Sequence, residues 1–340
     1  MKSIDTVARP GSPDSFVHEA FLYGSDDEAL SVAVPFLRDA REHGEAAIVD
    51  VDDHKADLIR NELGQHADGV EFVGGRWYTN PASAIRQYLQ CFESLLADGS
   101  RTIRKLAQLP PTAINGSWHA WKRYEAVINV AFAEHPVRGI CLFDRATIPA
   151  EVVDDVLCTH PRLTTPPGPH AANERYTHPR DWLSQLPHPP LHDAERTAPL
   201  VELVDVLPHD ARAAIAPLAV GLSDGDRDGL LTCASELVSN AILHGAPPVT
   251  IRAWRDHGSV IVTVDDCGSG IDDPFLGLIP PTRQMGAGGL GLWIAHQLCS
   301  DVAVMRTPDG FRVRIVGGGT GHGQTRSAAA RQHGSWRGGP

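Results

Sequence analysis

An acid and an amide stand four residues apart in the stretch from Glu236 to Gly245, and a histidine follows after four more. In a helix this spacing places Glu236, Asn240 and His244 on one stripe. An amide oxygen suits a hard cation such as Mg²⁺, and a carboxylate beside it can act as a general base. A polar stripe is more often a solvated face, so the pattern gains weight only from its neighbours. The predicted apolar stripe consists of Leu230, Ala234, Leu237, Val238, Ala241 and Ile242.

A second pattern follows two predicted strands, 249–254 and 259–264, which a turn signal joins into a hairpin. The second strand runs into Asp266, with Gly268 and Gly270 at alternate positions after it. Glycines there permit a tight turn and a close backbone approach that a side chain would block. At the end of a strand, Asp266 can accept a hydrogen bond from an exocyclic amine such as that of adenine. An ordinary Asp-Gly loop is the plainer alternative.

A third segment consists of glycines that run directly into an apolar helical stretch. Such a start places bare backbone N–H groups and a helix N-terminus where a phosphate can lie. It is not a P-loop, because no Gly-Lys-Ser/Thr follows. Residues 272–285, just before it, are rich in Pro and Gly and are predicted to form a mobile lid. The segment contains Gly286, Gly288, Gly289, Leu290 and Gly291.

In this order and at these spacings, the three patterns resemble the N box and the two glycine boxes of the GHKL superfamily, which includes gyrase, histidine kinases and mismatch-repair ATPases. The resemblance covers residues 200–316 and implies a Bergerat-type α/β sandwich with a mixed sheet. It also implies ATP and Mg²⁺ as cofactors, with Asn240 as the magnesium ligand, Glu236 as the catalytic base and Asp266 as the reader of adenine. The other implied nucleotide contacts are Gly268, Gly270, Gly286, Gly288, Gly289, Leu290 and Gly291.

Within that superfamily, the compact helix motif and the short lid look most like bacterial anti-sigma factors that are serine/threonine protein kinases. This resemblance implies phosphorylation of a STAS-domain anti-anti-sigma protein, binding of a sigma factor, and a homodimer. Two positions depart from the usual pattern. Ala287 replaces its first glycine, and the last strand, 311–316, lacks the Thr or Ser often found near the adenine.

Two other functions use the same fold. A sensor histidine kinase needs a phosphoacceptor histidine on a two-helix module ahead of the nucleotide site, and His209 is the best candidate. Only about twenty residues, at about 1.5 Å each, separate it from the helix that carries Glu236, which is too short for such a hairpin. The other alternative is a non-catalytic module whose degenerate nucleotide pocket only holds a partner. The intact Glu236 and Asn240 count against that interpretation.

Composition limits the class of protein. Apolar residues make up 42% of the chain, which is enough for packed cores, and no apolar run is long enough for a transmembrane helix. Residues 1–13 are polar and lack the hydrophobic region of a secretory signal. The net charge of -12 argues against direct nucleic-acid binding and favours protein partners. The six cysteines show neither a CxxC pair nor a Cys/His metal spacing, which predicts reduced thiols in the cytoplasm.

Helices alternate with apolar strands in the N-terminal half, which predicts a three-layer α/β fold with a mainly parallel sheet. Glu125 and Asn129 stand four apart in one of these helices and are interpreted as a satisfied structural pair, with a functional role as the alternative. The predicted helices are 26–43, 53–63, 82–97 and 118–132, and the predicted strands are 46–51, 70–73 and 139–143.

This half also resembles the MEDS domain, a sensory module of bacterial regulators named for methanogens and methylotrophs. The resemblance implies a sensory role, in which His18 and Tyr23 are candidate ligand contacts and structural packing is the alternative. The segments that carry it are 16–23, 36–45, 124–129 and 142–144.

The predicted organisation therefore has four parts. A sensory domain at 14–160 precedes a Pro/His-rich linker at 161–199, which is expected to be extended and poorly packed. The ATP-binding domain follows at 200–316, and the Gly/Ser/Arg-rich tail at 317–340 is predicted to be disordered.

Overall fold

The computed structural model describes residues 15–165, 170–281 and 289–318, without the side chains of residues 116 and 117. The chain divides into two compact units, residues 1–186 and 187–340. None of the helices in the described ranges has the length and apolar character that a membrane crossing demands. The predicted tail lies outside the described residues from residue 319 onward.

In its described residues, the first unit is a seven-stranded sheet in the order β3-β2-β4-β5-β1-β6-β7. Neighbouring strands are parallel except for β6 and β7. The predicted, mainly parallel sheet is therefore confirmed. The strands are β1 (Val17–Tyr23), β2 (Ala46–Asp50), β3 (Val70–Phe72), β4 (Ile103–Ala107), β5 (Val137–Asp144), β6 (Arg162–Leu163) and β7 (Ala171–Ala172). The helices are α1 (Asp26–Glu42), α2 (Asp53–Leu63), α3 (Pro81–Ala97), α4 (Pro111–Ala131), α5 (Ala150–Thr159) and α6 (Pro179–Gln185), with a 3-10 turn at Gly64–Ala67.

Alternate side chains of the central strands pack into two hydrophobic cores, one on each face of the sheet. Phe21 and Leu142 pack with residues of α1 and α2 on one face, whereas Ala20 and Cys141 pack with residues of α4 and α5 on the other. Successive strand residues point to opposite faces, so a strand buried on both faces must be apolar at nearly every position. The three-layer α/β architecture predicted for this half is confirmed.

Strand β4 and helix α5 were not predicted. Two charged residues, Arg104 and Lys105, interrupt the apolar run of β4, yet both are buried. The Nε atom of Arg104 donates to Oε2 of Glu45 at 2.5 Å, and its Nη2 atom contacts Asp39. Because its charge is paired, Arg104 can be buried in a central strand. The apolar pattern that would predict this strand is therefore missing from the sequence of β4.

The described residues of the second unit form a five-stranded sheet in the order β11-β12-β10-β9-β8. Its helices pack against one face, where buried residues of α8 meet inward-facing residues of the strands. The strands are β8 (Val201–Val204), β9 (Thr250–Asp256), β10 (Ser259–Asp266), β11 (Asp301–Thr307) and β12 (Gly310–Gly318). The helices are α7 (Pro208–Ile215), α8 (Asp224–His244) and α9 (Leu290–Leu298), with a 3-10 turn at Asp193–Arg196.

The α/β class predicted for this unit is confirmed, but every described neighbour pair in its sheet is antiparallel rather than mixed. Strands β10 and β11 run in the same direction, as expected for two strands that a helix connects. They do not pair with each other, because β12 returns in a hairpin and lies between them. Without a β10–β11 pair, the described sheet has no parallel neighbours, and a mixed sheet needs at least one such pair.

Part of the predicted linker, 161–199, is packed in the structure. Within the first unit β6 pairs with β1, and α6 buries Trp182. Within the second unit, Glu195 accepts a hydrogen bond from Nη1 of Arg314 at 2.8 Å, and Ala194 lies against a cluster on the outer face of the sheet. A few anchoring side chains therefore hold a proline-rich segment that composition alone predicts to be extended.

Candidate functional site

Helix α8 presents the predicted acid and amide on its polar side. Ser223 caps its N-terminus through a side-chain hydrogen bond, as is typical of this residue type. Glu236 and His244 are exposed and Asn240 is half-buried. Glu236 and Asn240 lie about 6 Å apart along the axis. The apolar stripe is buried as predicted except at Ile242, which is 47% exposed.

The first turn of α9 lies against these two side chains. A Cβ atom at Gly291 would be 2.8 Å from Nδ2 of Asn240 and 3.5 Å from Oε2 of Glu236, so this close approach depends on glycine. Gly289 precedes the helix with a φ angle of 92°, a conformation that glycine adopts without steric cost. Leu290 is 48% exposed beside it. The structure thus brings the predicted phosphate-binding helix start to the predicted catalytic pair.

Asp266 ends β10, and the backbone holds one oxygen of its carboxylate. Its Oδ1 atom accepts hydrogen bonds from the N–H groups of Gly268 at 2.7 Å and of Ala246 at 3.3 Å. Within the part of the chain that the structure describes, no hydrogen bond engages Oδ2. A carboxylate fixed through one oxygen and free at the other can receive an exocyclic amine.

Close backbone contacts surround this carboxylate. A Cβ atom on Gly268 would lie 2.7 Å from Oδ1 of Asp266, and one on Gly245 would overlap the same carboxyl group. Gly270 has a φ angle of 76°, and a side chain there would overlap the ring of Phe311. No role for Gly245 was predicted from the sequence. Its position at the C-terminal end of α8 was the feature of the sequence that could have indicated one.

The described part of the predicted lid, up to residue 281, is folded rather than open. Phe275 and Leu278 are buried, and Nη2 of Arg306 donates to Oδ1 of Asp272 at 2.7 Å. The movement of a lid therefore stays a prediction. Outside the described residues lie Gly286, Ala287 and Gly288.

The residues present fit a magnesium-bound nucleotide. Asn240 and Glu236 provide oxygen-bearing groups beside a glycine-lined helix start, and Asp266 provides a free acceptor oxygen. Asp266 lies beside Gly245, which is about 8 Å along α8 from Asn240. Helix α8 therefore sets the distance between Asp266, which can accept a hydrogen bond from a base, and Asn240 and Glu236, which lie where a phosphate and a cation can bind.

Family models identify both units. The model described as the MEthanogen/methylotroph, DcmR Sensory domain (MEDS) matches residues 17–161, and the model of the histidine kinase-like ATPase domain matches residues 202–316. The chain joins a MEDS domain to a histidine kinase-like ATPase domain. No curated protein matches the chain. The α/β architecture of the ATPase domain fits a GHKL sandwich.

The two sensory candidates of the MEDS domain are both buried but lie on opposite faces of β1. Nδ1 of His18 donates to Oδ1 of Asn129 at 3.1 Å, on the side of α4. The hydroxyl of Tyr23 accepts a hydrogen bond from Nε2 of Gln108 at 3.1 Å, and its ring packs with residues of α1 and α2. The spacing of five residues along a strand makes this separation necessary. The structure does not bring His18 and Tyr23 together.

Glu125 and Asn129 of α4 are not the self-contained pair that the sequence suggested. Nδ2 of Asn129 donates to the backbone carbonyls of Glu125 at 3.0 Å and of Thr159 at 2.9 Å. Among the described residues, Oε2 of Glu125 is buried without a hydrogen-bond partner. The interpretation as a satisfied pair is confirmed for Asn129 and wrong for Glu125, whose carboxylate faces His18 instead.

Proposed function

We propose that this chain is an ATP-dependent protein serine/threonine kinase of the anti-sigma type, controlled by its MEDS domain. The observation that carries the proposal is the position of Glu236, which is exposed beside Asn240 and lies against the first turn of α9. An exposed carboxylate at the phosphate end of a nucleotide site is accessible to a hydroxyl group of a second protein.

The chemistry that bound ATP and Mg²⁺ supply is a transferable phosphoryl group and neutralisation of its charge. Asn240 would hold the cation, and Asp266 would accept the adenine amine. Gly289, Leu290 and Gly291 would lie along the phosphates. Glu236 would take the proton of the acceptor hydroxyl as its oxygen bonds to phosphorus and the bond to the departing ADP breaks. Positioning of the reactants contributes most of the rate in such a transfer.

The short length of α7, the helix before α8, favours a phosphate acceptor on another protein over a histidine of this chain. Helix α7 has eight residues and is about 12 Å long. His209 stands in its first turn, with Nε2 3.1 Å from Oδ1 of Asp210. A sensor histidine kinase presents its phosphoacceptor on a long two-helix module, which an eight-residue helix does not provide.

The proposed acceptor is a serine or threonine of a STAS-domain anti-anti-sigma protein. The same chain would bind a sigma factor, and it would act as a homodimer. The net charge of -12 supports protein partners over nucleic acid. Neither a membrane nor DNA is part of the proposal.

The test is to incubate the full chain with labelled ATP, Mg²⁺ and a candidate STAS-domain protein. The expected result is acid-stable label on the STAS protein. Acid-labile label on the chain itself, lost in the variant His209→Ala, would instead identify a histidine kinase. Binding of ATP without transfer to any tested STAS protein would support the non-catalytic module.

A further inference from the structure

Four side chains meet inside the MEDS domain from four different elements. His18 comes from β1, Glu125 from α4, Cys141 from β5, and His160 from the residue that ends α5. Their exposed fractions are 1%, 1%, 5% and 0%. Each offers one ligand atom, and these atoms all lie within 4.8 Å of one another. The ATP chemistry proposed above uses none of the four.

We propose that this cluster binds one divalent transition-metal ion of the zinc type. Its ligands are Nε2 of His18, Nε2 of His160, Sγ of Cys141 and Oε2 of Glu125. Four protein ligands around a buried tetrahedral ion form a closed, structural site. Such an ion links β1, β5, α4 and the end of α5.

The two distances from the imidazoles to the carboxylate of Glu125 exceed hydrogen-bond length and lie near the spacing of ligands around a shared ion. Nε2 of His18 is 3.7 Å from Oε2 of Glu125, and Nε2 of His160 is 3.5 Å from the same oxygen. Hydrogen bonds between such atoms are about 2.7–3.2 Å long. Bonds of about 2.0–2.3 Å to tetrahedral zinc separate the ligand atoms by about 3.3–3.6 Å. Nε2 of His18 and Sγ of Cys141 are 3.3 Å apart, which is also a hydrogen-bond distance for a thiol donor. All four ligand atoms lie within 4.8 Å of one another, and binding of an ion would draw the outermost of them closer together.

Hydrogen bonds outside the cluster orient both imidazole rings. Asn129 uses its Nδ2 atom as a donor to backbone carbonyls, so its Oδ1 atom must accept and Nδ1 of His18 is the donor. Nδ1 of His160 donates to the carbonyl of Val156 at 2.9 Å. Each neutral ring therefore presents the lone pair of Nε2 to the cluster. Metal-binding histidines are oriented in this way in other proteins.

Two of the four ligand atoms have no other partner. Nε2 of His160 and Oε2 of Glu125 are buried without a hydrogen bond to any residue that the structure describes. Buried polar atoms without partners are rare and call for an explanation. Two imidazole lone pairs and a carboxylate oxygen converge here, and when Glu125 is ionised the thiol of Cys141 is the group in the cluster that can donate a proton to them. A cation satisfies all of these acceptors together.

The charges balance when the ion is divalent. A thiolate and a carboxylate contribute two negative charges and the neutral imidazoles none, so the bound site has no net charge to bury. Burial lowers the pKa of His160 to about 3, so its ring is neutral. Burial also raises the pKa of Cys141 to about 12 and that of Glu125 to about 7. The thiol proton, and the carboxyl proton when present, would leave to solvent as the ion binds.

Lys105 is the other charged group near the cluster. It is buried on β4, with Nζ 4.6 Å from the centroid of the Tyr88 ring, and its charge acts on His160, Cys141 and Glu125. The same charge also acts on the buried carboxyl group of Asp50. Burial raises the pKa of Asp50, which lies outside the cluster.

Cobalt replaces zinc with a visible spectrum, which makes the proposal testable on the full chain. After removal of bound metal with a chelator, titration with Co²⁺ should give one ion per chain. The spectrum should show a thiolate-to-cobalt charge-transfer band and the intense bands of four-coordinate cobalt, and Zn²⁺ should abolish both. The variant Cys141→Ser should lose the charge-transfer band. Cys91→Ser, which changes a cysteine of α3 outside the cluster, should keep it.

Two further variants keep the test informative if Cys141→Ser does not fold. Glu125→Gln preserves the size of the side chain and should keep the charge-transfer band while lowering cobalt affinity at least about tenfold. Asn129→Ala removes the acceptor for Nδ1 of His18, together with the hydrogen bond from Asn129 to the carbonyl of Thr159, and should lower affinity by about 10–100-fold. A folded wild-type chain that takes up no stoichiometric cobalt, or a charge-transfer band that persists in Cys141→Ser, would overturn the proposal.

Discussion

The proposed nucleotide site of the ATPase domain and the buried cluster of the MEDS domain are assembled in opposite ways. Glu236 and Asn240 occupy one face of one helix, and the turn that holds Asp266 begins 26 residues after Asn240. In the cluster, His18 and Cys141 contact each other across 123 positions of sequence. The first site is open to solvent, whereas all four side chains of the second are buried.

This difference shows where chemistry can be recognised from sequence. A site on one helix face leaves a periodic pattern, since residues at i and i+4 are always neighbours. A cluster formed across parallel strands leaves none, because strand register decides which residues meet. In the β1–β5 pair, His18 lies opposite Gly139, and Cys141 is two residues further along the same face. The four predictions below test the two sites separately.

The largest expected effect is at the exposed site. Glu236→Gln should lower phosphate transfer to the protein acceptor by about 10²–10⁴-fold, because it removes the group that takes the hydroxyl proton. ATP binding, measured by titration calorimetry, should stay within about twofold, since Gln keeps the size of the side chain. The matched control is Asp228→Asn, an exposed acid on the same helix. Transfer at the wild-type rate by Glu236→Gln would exclude this residue as the base.

Gly291→Ala should come next, with ATP affinity reduced by about 10–100-fold. The new Cβ atom would stand 2.8 Å from Nδ2 of Asn240 and force that side chain to move, at a cost of about 1–3 kcal/mol. Gly225→Ala is the control, because a Cβ atom in that turn of α8 meets nothing within 4 Å. Equal ATP affinity in both variants would contradict the close packing of α9 on Asn240.

Metal removal should affect the MEDS domain alone. After chelation, hydrogen exchange should become faster in β1 and β5 by roughly tenfold or more. The reason is that these strands can then open locally without breaking bonds between the ligands and the metal. Peptides from α8 should exchange at an unchanged rate. Exchange in Cys141→Ser should not respond to the chelator. A uniform response in both domains would mean that the chelator acts elsewhere.

The smallest expected effect is at the base-reading position. Asp266→Asn retains an oxygen for the N–H groups of Gly268 and Ala246 but replaces the free acceptor with an NH₂ donor. Loss of one hydrogen bond should weaken ATP binding by about 2–10-fold and leave GTP binding, measured in parallel, unchanged. An equal loss for both nucleotides would assign Asp266 a purely structural role.

Much of the MEDS fold could be predicted because its helices and several strands have clear periods. Helix α2 has the predicted bounds, and α1 and α3 differ from prediction by one residue at one end. Helix α4 begins at Pro111, seven residues before the predicted start. Strand β4 escaped prediction because its buried Arg104 and Lys105 break the apolar pattern. Their burial depends on partners from other elements, which local sequence cannot supply.

Prediction in the ATPase domain was best where a turn decides local geometry. The hairpin between β9 and β10 is present, with His257 and Gly258 both at positive φ, as expected for a two-residue turn. The contact of Gly245 with Asp266 required the three-dimensional structure, since α8 and β10 meet only in the folded domain.

The sequence by itself determined which groups of the ATPase domain can do chemistry. Helical periodicity brings Glu236 and Asn240 together, and the order of the glycine segments indicates where a nucleotide fits. Only the tertiary structure decided that β12 separates β10 from β11 and that His18, Glu125, Cys141 and His160 meet. The physical reason is range. Neighbours within a helix are set by the geometry of the backbone, whereas neighbours across a sheet are set by register and by the packing of helices on its faces.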